Sequence, residues 1–310
     1  MKIKLIKAKS ILVKSKLPGS DYVINPYTGC AFGCSYCYAD FMRRFTGHGN
    51  EKWGDFVDIK INAPEILKKE LELLKRRSIN DRKRIVILFG SVTDPYQGVE
   101  AKYKITRKCL KVIEESKCDF DISVLTKSHL VTRDIDILKS IKNMSVGLTI
   151  TTTDDKISRL LEGNAPPASL RLKALKILNK AGISTYVCIN PLLPNFTDNE
   201  TQIRELLDAI KESGNKEIWL EHINLTGNKL KRVKSILQKK FPEKIKYFEK
   251  ARTNEYKDGL NKLLFKILED YDFKIGGGGI IDHRRKTIIT RNRKNKVLKS
   301  GWRLEVGEDG

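Results

Sequence analysis

Three cysteines crowded into eight positions are the residues whose type and spacing most clearly suggest chemistry. Cys30, Cys34 and Cys37 have C-x3-C-x2-C spacing, and they follow a β-rich run and precede a helical stretch. Three thiolates on one tight loop can hold three corners of a cubane iron–sulfur cluster. Such a site leaves one iron open, and an open metal position is what a reacting ligand requires. The spacing therefore predicts a [4Fe–4S] site with one reactive corner.

The other cysteines, Cys109, Cys118 and Cys188, are scattered along the chain. A disulfide framework would spread its cysteines more evenly, so the crowded group indicates a metal site in a reducing compartment. A pure electron carrier would need a fourth protein ligand, and none of the scattered cysteines lies in an obvious partner motif. Cys109 lies on the apolar face of a predicted helix and is most simply a core residue.

His48 leaves a zinc site open as an alternative, because it follows Cys37 at close spacing and histidine is the commonest neutral metal ligand. Zinc held by the three cysteines and His48 would make the chain a non-catalytic module that binds nucleic acid through its basic surface. Gly47 and Gly49 flank the histidine and indicate a mobile loop, so we expect His48 to be a surface residue.

Short β-rich runs alternate with amphipathic helical patterns over most of the chain. The predicted strands are Tyr22–Tyr27, Arg84–Gly90, Phe120–Thr126, Ser145–Thr151, Ser184–Asn190 and Glu217–Ile223. This alternation predicts parallel βαβ units with right-handed crossovers, wound as a doubly wound sheet or as a barrel. Either architecture places the working loops at the carboxyl ends of the strands.

The cysteine loop, with Tyr36 just before its last cysteine, resembles the signature of the radical S-adenosylmethionine (SAM) superfamily. Motifs after the later strands resemble those of the spore photoproduct lyase-like branch: Thr93–Gln97, Thr126–Ser128 with Arg133-Asp134, Leu161–Pro166 with Arg171-Leu172, and Pro191–Pro194. The resemblance covers roughly residues 20–225. It implies an α/β fold, a partial (β/α)6 TIM-type barrel, with the cluster at its carboxyl-end mouth.

The resemblance also implies the chemistry. The amino and carboxylate groups of SAM would chelate the open iron, and one electron from the reduced cluster would break a carbon–sulfur bond of the sulfonium. The resulting 5′-deoxyadenosyl radical would abstract a hydrogen atom from a substrate, while the protein supplies orientation and a dry cavity. A reductant such as ferredoxin or flavodoxin is the implied electron donor.

Five residues are candidate SAM contacts on the same basis. Tyr36 would lie against the adenine or offer its backbone to it. Ser91 and Thr93 follow the second strand, where family members hold the amino end of SAM. Lys127 would pair with the methionyl carboxylate as a point charge. Thr149 would hydrogen-bond the carboxylate or the ribose.

The catalytic partner of the radical is less well defined. Photoproduct lyases proper carry a further cysteine close to the second-strand motif, and this chain has no cysteine from Tyr38 to Lys108. The resemblance therefore does not imply that this chain repairs thymine dimers. Tyr96 and Cys188 remain candidates for quenching the product radical, which is the role of that further cysteine in the family. Asp94 either shapes the substrate side or caps the turn before a proline.

The chain has 310 residues and a formal net charge of +22. This surplus favours nucleic acid or another polyanion as a partner, although a lysine-rich composition alone would also produce it. The segment Arg284–Lys299 has eight lysines or arginines and no acid, so it is either a solvated tail or a polyanion-binding arm.

The expected domains are an N-terminal extension (1–20), the barrel (21–225) and a C-terminal helical or irregular extension with a basic tail (226–310). Within the last, Gly276–Gly279 is expected to be a flexible loop. Hydrophobic residues make up 40% of the chain, which is enough for a core. No apolar run approaches a membrane span, so we expect a cytoplasmic protein.

Overall fold

The computed structural model describes residues 1–78, 84–291 and 297–301. Its strands are β1 (Lys2–Ile6), β2 (Leu12–Lys14), β3 (Tyr22–Ile24), β4 (Tyr27–Thr28), β5 (Phe56–Lys60), β6 (Val86–Phe89), β7 (Asp121–Thr126), β8 (Met144–Thr149), β9 (Ser184–Leu192), β10 (Glu217–His222), β11 (Lys274–Asp282), β12 (Thr287–Arg291) and β13 (Val297–Gly301).

The α-helices are α1 (Ala63–Ser78), α2 (Glu100–Tyr103), α3 (Ile105–Ser116), α4 (Ile135–Ser140), α5 (Asp155–Glu162), α6 (Ala168–Lys180), α7 (Glu200–Glu212), α8 (Lys229–Leu237), α9 (Ile245–Lys250) and α10 (Asn254–Leu268). Short 3-10 helices span Tyr38–Phe45, His129–Asp134 and Pro242–Lys244. None of the helices described is both long enough and apolar enough to cross a membrane.

The main sheet has the strand order β13-β12-β11-β10-β9-β8-β7-β6-β3-β2. Neighbouring strands from β3 to β11 are parallel, whereas β2 at one edge and β12 and β13 at the other pair antiparallel. The six predicted strands are all present with bounds within a few residues. The predicted partial (β/α)6 barrel is therefore confirmed, and β11 adds a seventh parallel strand.

Alternating residues divide the sheet into two faces. On β7 and β9, Ile122, Val124, Val187 and Ile189 belong to the main apolar core, which the helices cover. The intervening residues face the other way and form the concave wall of the barrel. There the Ser123 and Tyr186 hydroxyl oxygens lie 2.8 Å apart.

The expectation of a flexible loop at Gly276–Gly279 is wrong, because these glycines lie within β11. The register between β10 and β11 passes from Ile218–Ile275 to Leu220–Ile280, so β11 accommodates the extra residues as a bulge. The Trp219 ring occupies the space beside Gly276, where a Cβ would lie 2.0 Å from ring atom Cε2. The glycine thus serves close packing on the concave wall rather than mobility.

A second, three-stranded sheet of order β1-β5-β4 lies beside the cysteine loop. It brings Gly54 against Gly33, where a Cβ on Gly54 would lie 2.9 Å from the Gly33 Cα. Both glycines have positive φ, +65° at Gly33 and +106° at Gly54. Backbone contact this close explains why neither position carries a side chain.

The basic segment Arg284–Lys299 is not simply a tail in its described part. Strands β12 and β13 pair antiparallel, and β12 continues the main sheet beyond β11. Residues 292–296, which hold several of its bases, lie outside the described residues. Its role as a polyanion-binding arm stays a prediction.

Candidate active site

The cysteine loop lies at the carboxyl-end mouth of the parallel strands, where the end of α5 and the residues that follow it hold the loop in place. The Ser35 amide donates to the Leu161 carbonyl at 2.8 Å, and the Ser35 hydroxyl donates to the same oxygen at 2.9 Å. The Asn164 amide donates to the Phe32 carbonyl at 2.9 Å. The two sequence motifs, far apart in the chain, are therefore one structural unit.

Side chains after β6 fix the start of the loop. The Gln97 carbonyl oxygen accepts from the Ala31 amide at 2.7 Å, and its amide nitrogen donates to the Gly29 carbonyl at 3.3 Å. The Thr93 hydroxyl also donates to Gly29. Gln97 is wholly buried. The predicted role of Thr93 in holding SAM stays a prediction, and its observed contact positions the loop.

Arg232 of α8 holds the end of the loop. Its guanidinium donates to the Ser35 carbonyl at 3.0 Å and to the Cys37 carbonyl at 2.9 Å, and it pairs with Asp40 at 3.0 Å. No sequence pattern indicated this contact, because Arg232 lies beyond the predicted barrel (21–225). It is one of the site residues that sequence reasoning missed.

The three cysteines are free thiols, and Cys37 is less buried than Cys30 or Cys34. Burial raises the pKa of all three thiols. The charge of Lys127 lowers the pKa of Cys34 and Cys37, but its effect is smaller than that of burial. A cationic cluster would supply the positive charge that three thiolates need.

In the part of the chain that the structure describes, no three His, Cys, Asp or Glu side chains gather around one point as ligands of a single metal ion. A cubane cluster binds each thiolate to a different iron. Its geometry therefore does not require the three sulfur atoms to meet at one point. The donor set on this loop, three thiols and no other ligand, fits such a cluster.

Glu162 is the centre of a buried polar network behind the loop. Its carboxylate accepts hydrogen bonds from the Tyr36 hydroxyl and, at 3.1 Å, from the Thr151 hydroxyl. It pairs with the Arg171 guanidinium, and the Lys127 Nζ lies 3.9 Å from Oε1. Burial raises the pKa of Glu162, but the charges of Arg171 and Lys127, together with hydrogen bonds from Arg171 and Tyr36, hold it below its ordinary value.

Two predicted SAM contacts, Tyr36 and Lys127, belong to this network. The Lys127 ammonium lies 5.9 Å from the centroid of the Tyr36 ring, within cation–π range. Thr149 is buried close by, and its carbonyl accepts from Arg171 at 3.1 Å. The structure therefore brings these three predicted residues together around Glu162 and Arg171, to which the sequence assigned no role.

Ser91 contacts one residue before the cysteine loop and one residue after it. Its hydroxyl accepts from the Asn25 amide at 2.9 Å, and its carbonyl accepts from the Tyr38 hydroxyl. Asp94 caps its own turn, which is one of the two roles expected for it. Its carboxylate accepts a hydrogen bond from the Tyr96 amide at 2.9 Å. It also accepts from the Lys127 amide at 2.8 Å and so joins the ends of β6 and β7.

The two candidate radical partners have different surroundings. The Tyr96 side chain is fully buried, and its hydroxyl donates to Asp134 at 3.0 Å. Cys188 lies on the concave wall, where its register partners are Thr149 on β8 and Trp219 on β10. Burial raises the pKa of the Cys188 thiol, which favours the neutral S–H form.

A Glu–His pair that sequence reasoning missed lies on the same side of the sheet. The Glu221 Oε1 lies 3.1 Å from the His283 Nε2. Burial alone would lower the pKa of His283, but the hydrogen bond and charge of Glu221 raise it above its ordinary value. Alternation along β10 places Glu221 with Trp219 on the concave wall. This alternation was the one sequence pattern that could have identified Glu221 as a residue of the site. His283 follows β11, which was not predicted.

The expectation that His48 is a surface residue is wrong. Its ring is buried and stacks on Phe56 with the centroids 3.9 Å apart. Its Nε2 lies 2.9 Å from the Asp58 carboxylate on β5. His48 is therefore occupied within the small sheet rather than available as a fourth ligand on an exposed loop.

Comparison with known proteins assigns the family. The profile of the radical SAM superfamily matches residues 24–210, and the chain belongs to this superfamily. The uncharacterized protein MJ0683 of Methanocaldococcus jannaschii is 35% identical over 238 residues, covering 77% of this chain and 83% of that protein.

Solved structures agree on the fold. A spore photoproduct lyase complexed with dinucleoside spore photoproduct is similar with a TM-score of 0.65 and 15% identity, covering 87% of this chain and 79% of the other. A mutant of spore photoproduct lyase with bound AdoMet and dinucleoside spore photoproduct gives a TM-score of 0.61 at 14% identity, covering 87% and 78%. The predicted superfamily, its photoproduct lyase-like fold and the assignment as an enzyme are confirmed.

Proposed function

We propose that the chain binds a [4Fe–4S] cluster through Cys30, Cys34 and Cys37 and cleaves SAM reductively at the carboxyl-end mouth of the barrel. The observation that carries this proposal is the cysteine loop itself. Three cysteines on one loop lie at the mouth of a parallel sheet, within the part of the chain that matches the radical SAM profile. When bound, the cluster and SAM together supply a 5′-deoxyadenosyl radical.

The protein's own residues hold and orient the cofactor. Lys127, fixed beside Glu162 and above Tyr36, offers one positive charge for the methionyl carboxylate. Glu162 and Arg171 fix Tyr36, which faces the adenine in this proposal. Thr149 and Ser91 supply further polar contacts at the rim. Apolar packing of Phe32 and Leu161 around the loop excludes water.

The substrate side of the site is the concave wall. Cys188 lies there between Thr149 and Trp219 and is the hydrogen-atom donor in this proposal, since its neutral thiol has an S–H bond to give. A nucleic-acid substrate is supported by the net charge of +22 and by the dinucleoside ligand in the similar lyase structures. Phosphate attraction contributes affinity without identifying a base.

Anaerobic reconstitution tests the proposal. We expect about four irons and four sulfides per chain, and 5′-deoxyadenosine formed from SAM after reduction with dithionite. Cys34→Ala should lower the iron content and abolish SAM cleavage, whereas Cys118→Ala should change neither. One zinc per chain without SAM cleavage would instead support the non-catalytic zinc module. Incubation with deuterated DNA, RNA or peptides, followed by mass spectrometry of 5′-deoxyadenosine, identifies the substrate class.

A further inference from the structure

An exposed aromatic and basic surface directly follows the cysteine loop. On the 3-10 helix Tyr38–Phe45, the side chain of Phe41 is 46% exposed and that of Phe45 is 76% exposed. Their rings contact edge to face with centroids 6.2 Å apart. Arg44 between them is also exposed. We call Phe41, Arg44 and Phe45 the aromatic–basic face.

Basic residues outnumber acids on this helix and on α8. Helix α8, which is joined to the cysteine loop through Arg232, carries four lysines or arginines and no acid. The nearest acid, Asp40, is paired with both Arg43 and Arg232. A partner with an acidic surface therefore fits this part of the molecule.

The surface also lies on the helix that directly follows Cys37, one of the three proposed cluster ligands. Cys37 is the least buried of the three cysteines, and the helix that carries the face begins at the next residue. A partner protein docked on this helix would therefore lie close in the chain to a proposed cluster ligand. Phe41 and Phe45 add a small apolar contact of the kind that weak, transient redox complexes use.

We propose that the aromatic–basic face is the docking surface for an acidic one-electron carrier protein of the flavodoxin or ferredoxin class. This inference rests on the proposed function. One electron leaves the reduced carrier and enters the cluster, so the carrier is oxidised by one electron while no bond is made or broken. Nucleic acid fits the face less well, because the two rings pack edge to face against each other rather than offering free parallel faces for bases.

Two variants test the face, each with a matched control. Arg44→Glu reverses a charge in it, and Lys176→Glu makes the same change on the exposed side of α6. Phe45→Ser removes its most exposed ring, and Leu73→Ser does the equivalent on α1, where Leu73 is 51% exposed. The probe is purified flavodoxin, used oxidised for binding and as the hydroquinone for reduction.

Two measurements on the reconstituted protein without SAM decide the outcome. Surface plasmon resonance gives the Kd for oxidised flavodoxin at two salt concentrations, and stopped-flow absorbance gives the rate of cluster reduction by flavodoxin hydroquinone and by dithionite. Arg44→Glu should weaken flavodoxin binding about tenfold at low salt and slow reduction by flavodoxin in proportion. Reduction by dithionite, and both control variants, should match the unsubstituted protein.

Three results would overturn the docking surface. Unchanged flavodoxin binding in Arg44→Glu and Phe45→Ser would place the partner elsewhere. An equal loss of reduction by dithionite would mean that the variants damage the cluster site instead. Loss of single-stranded DNA binding with flavodoxin binding retained would assign the face to nucleic acid. Failure of the proposed function is distinguishable, because then the unsubstituted protein would form no cluster or would not cleave SAM with dithionite.

Discussion

Glu162 and Arg171 form an ion pair in which neither side chain is exposed to solvent. The pair joins the end of α5 to α6 and lies directly behind the cysteine loop, because Glu162 also accepts from the Tyr36 hydroxyl. A buried charge pair is retained at a cost in desolvation, so its place here indicates a role in positioning the site. This pair links the stability of the barrel to the geometry of the cysteine loop.

Replacement of Glu162 by Gln should therefore destabilise the protein strongly. The change leaves the buried Arg171 guanidinium without its partner, which typically costs about 3–5 kcal/mol in the free energy of unfolding. Urea denaturation of the metal-free protein measures it. Glu200→Gln is the control, because Glu200 pairs with Arg204 in a solvent-exposed position and its loss should change stability little. Equal stability of the two variants would show that the Glu162–Arg171 pair contributes no more to the fold than the exposed Glu200–Arg204 pair.

Lys127→Ala should weaken SAM binding while leaving the cluster formed. Lys127 has its ammonium beside Glu162 and above Tyr36, where a carboxylate ligand would gain a charge-assisted contact. Loss of such a contact typically costs about 1.5–3 kcal/mol, or roughly a tenfold to hundredfold rise in Kd. Anaerobic equilibrium dialysis measures it, and Lys142→Ala, where Lys142 is 74% exposed, is the control. An unchanged Kd would remove Lys127 from the SAM site.

Cys188→Ala separates the cofactor reaction from the substrate reaction. The cluster and SAM cleavage should be retained, because Cys188 lies on the concave wall outside the cysteine loop. Turnover of substrate to product should be lost once the substrate is known. Cys109→Ala is the matched control, since Cys109 is a buried thiol of the helix-covered core. Full product formation by Cys188→Ala would transfer the role of hydrogen-atom donor to another group.

The sequence was sufficient to predict the features that depend on local pattern. In the six predicted strands, apolar residues recur at about every second position or more often, as a strand with one face in the core requires. The cysteine spacing is equally local, because all three ligands lie on one loop. Both patterns can be recognised from neighbouring residues alone, without knowledge of any distant contact.

Features that depend on distant contacts were missed. His48 lies between two glycines, which indicate a mobile loop, but the small sheet supplies Phe56 and Asp58 and buries the ring. Arg232 and His283 lie outside the region of family resemblance, and their partners are fixed only by the packing of α8 and by the unpredicted strand β11. Tertiary contacts of this kind leave no periodic signal in the chain.

The Glu221–His283 pair should be visible in pH dependence. Glu221 raises the pKa of His283 above 6.5, so the pair stabilises the fold fully below that value and the contribution is lost as the pH rises through the raised pKa. Glu221→Gln should lower the pKa of His283, as an NMR titration of the imidazole would report. The stability difference between the two proteins should also be larger in mildly acidic than in alkaline buffer. A pKa of His283 unaffected by Glu221→Gln would show that the pair does not interact in solution.

Gly276→Ala tests the packing of the concave wall. A Cβ at this position would lie 2.0 Å from Cε2 of the Trp219 ring, so either the ring or the bulge of β11 must move. Overpacking of this kind typically costs about 1–3 kcal/mol in stability. Gly259→Ala on α10 is the matched control, because a Cβ there meets nothing within 4 Å. Alanine in that exposed helical position should stabilise the protein by up to about 1 kcal/mol. Thermal denaturation should therefore shift in opposite directions for the two variants. A shift in the same direction would mean that Trp219 does not occupy the space beside Gly276.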